Sequence, residues 1–215
     1  MTRYIMYIVV IGTLFLTYKS GIISFPIKEI SITASDKKYN VNKLNKYLDS
    51  LYGQNLLLSN IDTIQKTIIS DNWISDAEVI KSFPSKITIR IIQHEPMALY
   101  NNQIISKAGV LIDSSTIASK NLPIILDKNK ELILAYNIYS LSLINLKKID
   151  LLIKKIVINH SLIKIYTTST VLISDYANFE KNILRLVSSF EDLNNVYGKN
   201  ITSIDMRYSN GFAIK

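Results

Sequence analysis

Apolar residues fall in short periodic stretches along this chain, and their spacing sets out the order of elements. After an apolar N-terminal run, Ile27, Glu29, Ile30 and Ile32 read as a short strand. Val41, Leu44, Leu48 and Leu51 then recur at helical spacing, with Asn40 as the expected cap and Gly53 as the stop. A second helix is expected from Ser59 or Asn60, with Ile61, Ile64 and Ile68 as its buried stripe. Asn72-Trp73-Ile74 leads into a strand over 74–82, and Phe83-Pro84 turns it. Ile87, Ile89 and Ile91 then alternate with Thr88 and Arg90, the period of a half-buried strand. Strand, helix, helix, strand, strand in about 70 residues describes a compact α+β unit.

The second half is richer in strands. Met97–Tyr100 and Gln103–Ser106 flank Asn101-Asn102, a hairpin signal. Val110–Ile112 follows a turn at Lys107-Ala108-Gly109. Residues 113–121 are polar and loop-like, and Leu122-Pro123-Ile124-Ile125 comes next. A helix is expected over about 130–146, then strands over 155–159, 162–166 and 171–173 as a meander. Asp175 is the expected cap of a long helix with Phe179, Ile183, Leu186, Val187, Phe190 and Leu193 on one side. A strand over 201–208, a turn at Ser209-Asn210-Gly211 and a last strand over 212–215 close the chain.

The N-terminal run, Tyr4 to Tyr18, holds 15 uncharged residues between Arg3 and Lys19. As helix it reaches roughly 22 Å, short of the ~30 Å hydrocarbon layer. Extended to Phe25 it reaches about 33 Å and spans if Lys19 snorkels to the far interface. A cleaved signal peptide is the rival reading, but the region around Thr17-Tyr18-Lys19 lacks an A-x-A-like site. We therefore expect an uncleaved transmembrane helix over 4–25. Lys19, Lys28, Lys37 and Lys38 lie beyond the run, so the flanking charges do not favour a cytoplasmic N-terminus.

Composition narrows the chemistry. The chain has 215 residues, 48% hydrophobic, a formal charge of +8 and no Cys. Disulfides, thiolate nucleophiles and Cys-ligated zinc are excluded. The basic residues are dispersed, with no block of five or six, so nucleic-acid binding is not expected. Twenty-one Lys, 38 Ile and only four Arg give the composition of an AT-rich genome and draw attention to each Arg. Two isolated His, six scattered Gly and unclustered acids offer no catalytic pattern. No enzyme activity, cofactor or metal is expected. Trp73, flanked by Asp71 and Asp76, reads as a plug between helix and sheet or as a surface anchor. Along a strand, Asp205 and Arg207 would share a face, as an ion pair or a docking surface. A terminal strand carrying Phe212-Ala213-Ile214 can lie at a sheet edge and accept a partner strand.

Several motifs in order add a resemblance. Phe25-Pro26-Ile27-Lys28-Glu29-Ile30, Gly53-Gln54-Asn55-Leu56-Leu57 and Asn72-Trp73-Ile74-Ser75-Asp76-Ala77-Glu78-Val79 come first. Phe83-Pro84, His94-Glu95-Pro96-Met97-Ala98, Lys107-Ala108-Gly109-Val110-Leu111 and Leu122-Pro123 follow. Ile204-Asp205-Met206-Arg207-Tyr208-Ser209-Asn210-Gly211-Phe212-Ala213 closes the set. Together they resemble the FtsQ/DivIB family of bacterial cell division proteins. The resemblance implies a fold of class α+β. A cytoplasmic tail (1–3) and a single transmembrane helix (4–25) would precede a POTRA domain (26–94) of order β-α-α-β-β. A mixed β-domain with two helices (95–215) would follow. It implies an inner-membrane, single-pass protein, N-terminus cytoplasmic and bulk periplasmic, at the division septum. Its role would be a non-catalytic scaffold linking early and late septal proteins. Its partners would be FtsB- and FtsL-type coiled-coil proteins, joined by β-augmentation at the last strand, and other divisome membrane proteins. The implied contact residues are Arg207, Tyr208, Ser209, Gly211, Phe212 and Ala213, with a further POTRA contact around Trp73. The alternative is a POTRA-bearing, membrane-anchored transport or assembly factor. Repeated POTRA units or a membrane barrel would favour it. A hydrolase would need a convergent acid, base or metal set.

Overall fold

The structure is a computed structural model that describes residues 2–19, 24–35, 42–113, 122–198 and 201–215. Its chain contacts divide it into two compact units, Met1–His94 and Glu95–Lys215.

In the first unit, helix α1 runs over Thr2–Lys19. Of the expected span of 4–25, residues 4–19 lie in this helix, residues 20–23 lie outside the described residues, and Phe25 is not helical. Its 18 residues make about 27 Å of helix. Among the described residues no helix is long and apolar enough to cross a membrane. The remainder of the unit builds a three-stranded sheet from β1 (Glu29–Ala34), β2 (Ile74–Ser82) and β3 (Lys86–Gln93), in the order β1-β3-β2. β1 runs parallel to β3, and β2 runs antiparallel to it. That parallel pairing needs a crossover, which α2 (Asn42–Asp49) and α3 (Ile61–Ile69) supply. The Asn60 side chain accepts a hydrogen bond from the Thr63 N–H at 3.1 Å and caps α3. Asn40 lies outside the described residues.

The alternation seen in the sequence fixes which sheet face is buried. Ile87, Ile89 and Ile91 are enclosed with Leu44, Leu48, Ile64 and Ile68. The other face is polar: Glu29 pairs with Lys86, and Glu78 with Arg90. Trp73 stands at the α3–β2 junction, 1% exposed. The Asp71 carboxylate accepts from its backbone N–H at 2.9 Å.

The second unit is a nine-stranded mixed sheet carrying two helices. Its strands are β4 (Pro96–Tyr100), β5 (Gln103–Ser106), β6 (Leu111–Ile112), β7 (Ile124–Asp127), β8 (Ile153–Asn159), β9 (Leu162–Thr167), β10 (Val171–Asp175), β11 (Ser203–Asp205) and β12 (Ala213–Ile214). They are ordered β12-β11-β10-β9-β8-β7-β4-β5-β6. Asn101 and Asn102 take φ of 44° and 76°, the left-handed pair a tight hairpin requires. β8, β9 and β10 form the expected antiparallel meander. The parallel pairings of β7 with β4 and β8, and of β10 with β11, were not apparent from the sequence. Residues 114–121 of the expected polar loop lie outside the described set.

Helices α4 (Leu132–Leu146) and α5 (Phe179–Tyr197) pack on the sheet. Ala135, Ile138, Leu146, Phe179, Ile183 and Leu186 join Ile156, Ile163, Ile165, Leu172 and Ile204 in one core. Asp175 does not cap α5 as expected. It ends β10, and its carboxylate accepts from the Asn178 N–H at 2.9 Å, bracing the turn before the helix. Elsewhere Asp127, almost fully buried, accepts from the Tyr100 hydroxyl at 3.1 Å and from the backbone N–H of Asn129 and Glu131. Burial, reinforced by the neighbouring Asp127 carboxylate, pushes the Tyr100 phenol up to about 12.

Candidate functional site

The closing segment is shaped differently from the two long strands the sequence suggests. The strand expected over 201–208 is confined to β11, three residues, and that expected over 212–215 to β12, two residues. Residues 206–212 between them form a loop. Ile204 pairs with Ile214 and Asp205 with Ala213. Lys215 exchanges both main-chain hydrogen bonds with Ser203, at 3.0 Å each way.

β12 is an outer strand of the sheet; the other is β6. Antiparallel ladders alternate, so inward-facing main-chain groups at Lys215 and Ala213 leave those of Ile214 and Phe212 directed away from β11. That outward row is the site's first chemical property: it can donate to and accept from an added strand.

The flanking side chains supply the second. Arg207 does not extend along a strand. Its backbone N–H reaches Asp205 Oδ1 at 3.1 Å, and its guanidinium grips the same carboxylate through Nε at 2.9 Å and Nη2 at 2.6 Å. Hydrogen bonding from Arg207 outweighs burial and holds the Asp205 carboxyl below the usual carboxylate range. Arg207 remains half exposed, and Asp205 is largely covered. Tyr208 is 56% exposed, and Ser209 is exposed beside it. Gly211 has open space around its missing Cβ. Phe212 and Ile214 pack against the edge of the core, and Ala213 is exposed. Arg207, Tyr208, Ser209, Gly211, Phe212 and Ala213 thus come together in one loop and strand.

Trp73 belongs elsewhere. It lies in the first unit, 1% exposed, at the junction of α3 and β2.

One residue of the site escaped the sequence reading. Arg185, on α5, donates from Nη1 to the Ser209 carbonyl at 2.7 Å, and from Nη2 to those of Met206 and Tyr208 at 2.8 Å each. Its guanidinium carbon stands 4.8 Å from the centre of the Phe212 ring. The available signals were its rarity, as one of four Arg, and its place beside the buried stripe of Ile183 and Leu186.

Elsewhere in the unit, a cleft of about 680 Å³ between α4 and α5 is lined by Leu134, Ile138, Leu141, Phe179 and Leu184, with Asn137, Asn178, Glu180 and Lys181 at its polar side. Among the described residues no three His, Asp or Glu side chains gather as a metal site. His160 sits in a turn at φ 54°, where its backbone N–H donates to Asn129 Oδ1.

Comparison with known proteins agrees with this architecture. Residues 25–94 match the POTRA domain of FtsQ type. Over 187 residues the chain is 24% identical to the cell division protein FtsQ of Haemophilus influenzae, covering 85% of this chain and 71% of that protein. It is 26% identical over 191 residues to the FtsQ of Rickettsia bellii, 79% of this chain and 65% of that protein. It is 22% identical over 159 residues to the FtsQ of Actinobacillus pleuropneumoniae, 72% of this chain and 69% of that protein.

Proposed function

Because the chain belongs to the FtsQ family of cell division proteins, we propose that it is a non-catalytic scaffold that accepts a strand of an FtsB-type partner at the free edge of β12. The observation that carries this reading is the outer position of β12, with the main chain of Phe212 and Ile214 directed away from the sheet. A partner strand laid there gains main-chain hydrogen bonds. Tyr208 supplies an amphipathic aromatic surface of the kind enriched at protein interfaces. Arg207 keeps part of its charge at the rim. Gly211 leaves room for close approach. In this reading FtsL-type and other divisome membrane proteins are its further partners.

We place the protein at the inner membrane and the septum, held there by α1 and the residues that follow it. The described side chains from Tyr4 to Ile11 are apolar and mostly exposed, a surface suited to lipid. In this reading the N-terminus is cytoplasmic and both folded units are periplasmic.

Binding of a synthetic peptide carrying the partner's strand tests the edge directly. Tyr208→Ala removes an exposed ring, and Gly211→Val adds a branched side chain in open space. Neither disturbs a buried group, so the fold is retained. Each variant is expected to bind the peptide at least tenfold more weakly, about 1.4 kcal/mol. Unchanged affinity in both would refute the assignment to this edge.

A further inference from the structure

Residues 206–212 carry five of the six proposed contact residues, yet no ladder holds them. The backbone bond from the Met206 N–H to the Ile173 carbonyl ties the loop's start to β10. Beyond it, the carbonyls of Met206, Tyr208 and Ser209 all converge on the Arg185 guanidinium, and the Phe212 ring lies against the same group. Arg185 Nε is buried without an acceptor, so its two terminal nitrogens make these bonds. A loop so exposed would otherwise sample many backbone states, and each state unlike the bound one lowers apparent affinity by the fraction it occupies.

We propose that Arg185 is a positioning residue of the partner-binding edge: it fixes the 206–212 loop in the form that receives a partner strand, without itself meeting that strand. This rests on the edge reading above. Only arginine suits the geometry. Its planar fork offers several donors in one plane and a flat face to an aromatic ring, whereas a lysine ammonium is a single point of charge. The helix does not depend on it for docking, because Phe179, Ile183 and Leu186 already bury α5 against the sheet.

The test uses the full chain with Arg185→Met, which keeps an apolar stem and loses every donor, and Arg185→Lys. Amide hydrogen exchange is followed in 207–212 and, as an internal control, in β8 to β10. Peptide association and dissociation rates are measured on the same samples. Arg185→Met is expected to speed exchange in the loop tenfold or more, leave β8 to β10 unchanged, and weaken binding about tenfold, with Arg185→Lys recovering part of both. If the native protein binds the peptide while loop exchange or affinity is unaltered in Arg185→Met, the positioning role is overturned. Loss of protection throughout β8 to β10 also overturns it, because the residue is then a general support of the unit. If the native protein does not bind the peptide, the edge reading itself fails, and the positioning role falls with it.

Discussion

Replacing Trp73 by alanine separates the two roles its sequence context allows. The indole is 1% exposed at the junction of α3 and β2, so nearly all of its surface, about 250 Å² for a residue of this size, leaves water on folding. At ~25 cal/mol per Å² that burial is worth about 6 kcal/mol as an upper bound. Measured losses for buried Trp or Phe to Ala run at about 3–5 kcal/mol, since the cavity partly relaxes. A unit of roughly 70 residues has a total stability of about 3.5–10 kcal/mol. Trp73→Ala should therefore bring the first unit to the verge of unfolding while the second stays folded. Urea unfolding followed by circular dichroism, with hydrogen exchange assigning each transition, reads this out. The expected result is an early transition confined to residues 25–94. A variant with native stability in that unit, but with lost binding to any division partner, would refute the plug and restore the surface contact.

Two further outcomes follow from the second unit and from α1. The raised Tyr100 phenol binds its proton more tightly folded than unfolded, so its contribution is complete below pH 10 and is lost as pH rises through about 12, on the order of 2–3 kcal/mol at the limit. Tyr100→Phe should flatten the fall in urea midpoint between pH 10 and 12, though not abolish it, because burial also raises Tyr139; equal slopes in both proteins would refute the burial account. A chain without Cys suits labelling by a membrane-impermeant maleimide. In intact spheroplasts Ser209→Cys should be labelled and Thr2→Cys should not, and the reverse pattern would overturn the proposed orientation.

Periodicity made the local elements legible, and pairing partners were where it ran out. Ile87, Ile89 and Ile91 marked both a strand and its buried face because a two-residue period has one physical meaning. Asn101-Asn102 marked a hairpin because few residues tolerate two successive positive φ values. Nothing comparable announces that β11 will lie parallel to β10. That pairing is decided by α5 crossing over the sheet, a long-range packing event. The closing segment misled for a related reason. Ile204, Met206 and Tyr208 alternate like a strand, but Asp205 captures the Arg207 N–H and guanidinium and turns the chain off the ladder after three residues. The closing motif names the proposed contact residues of the edge, whereas nothing local points to Arg185, because a helix residue that bonds a loop distant in sequence leaves no local pattern.

The order of strands also carries a timing. β12 follows the other described strands of its sheet along the chain and rests on β11, which follows α5. The outer edge at β12 therefore exists only once β11 has docked on β10, with α5 packed across the sheet. Until then the outermost strand is some other one, with different side chains and a different direction. A partner that uses this edge as proposed would thus meet its docking row only on molecules in which β11 and β12 are already in place.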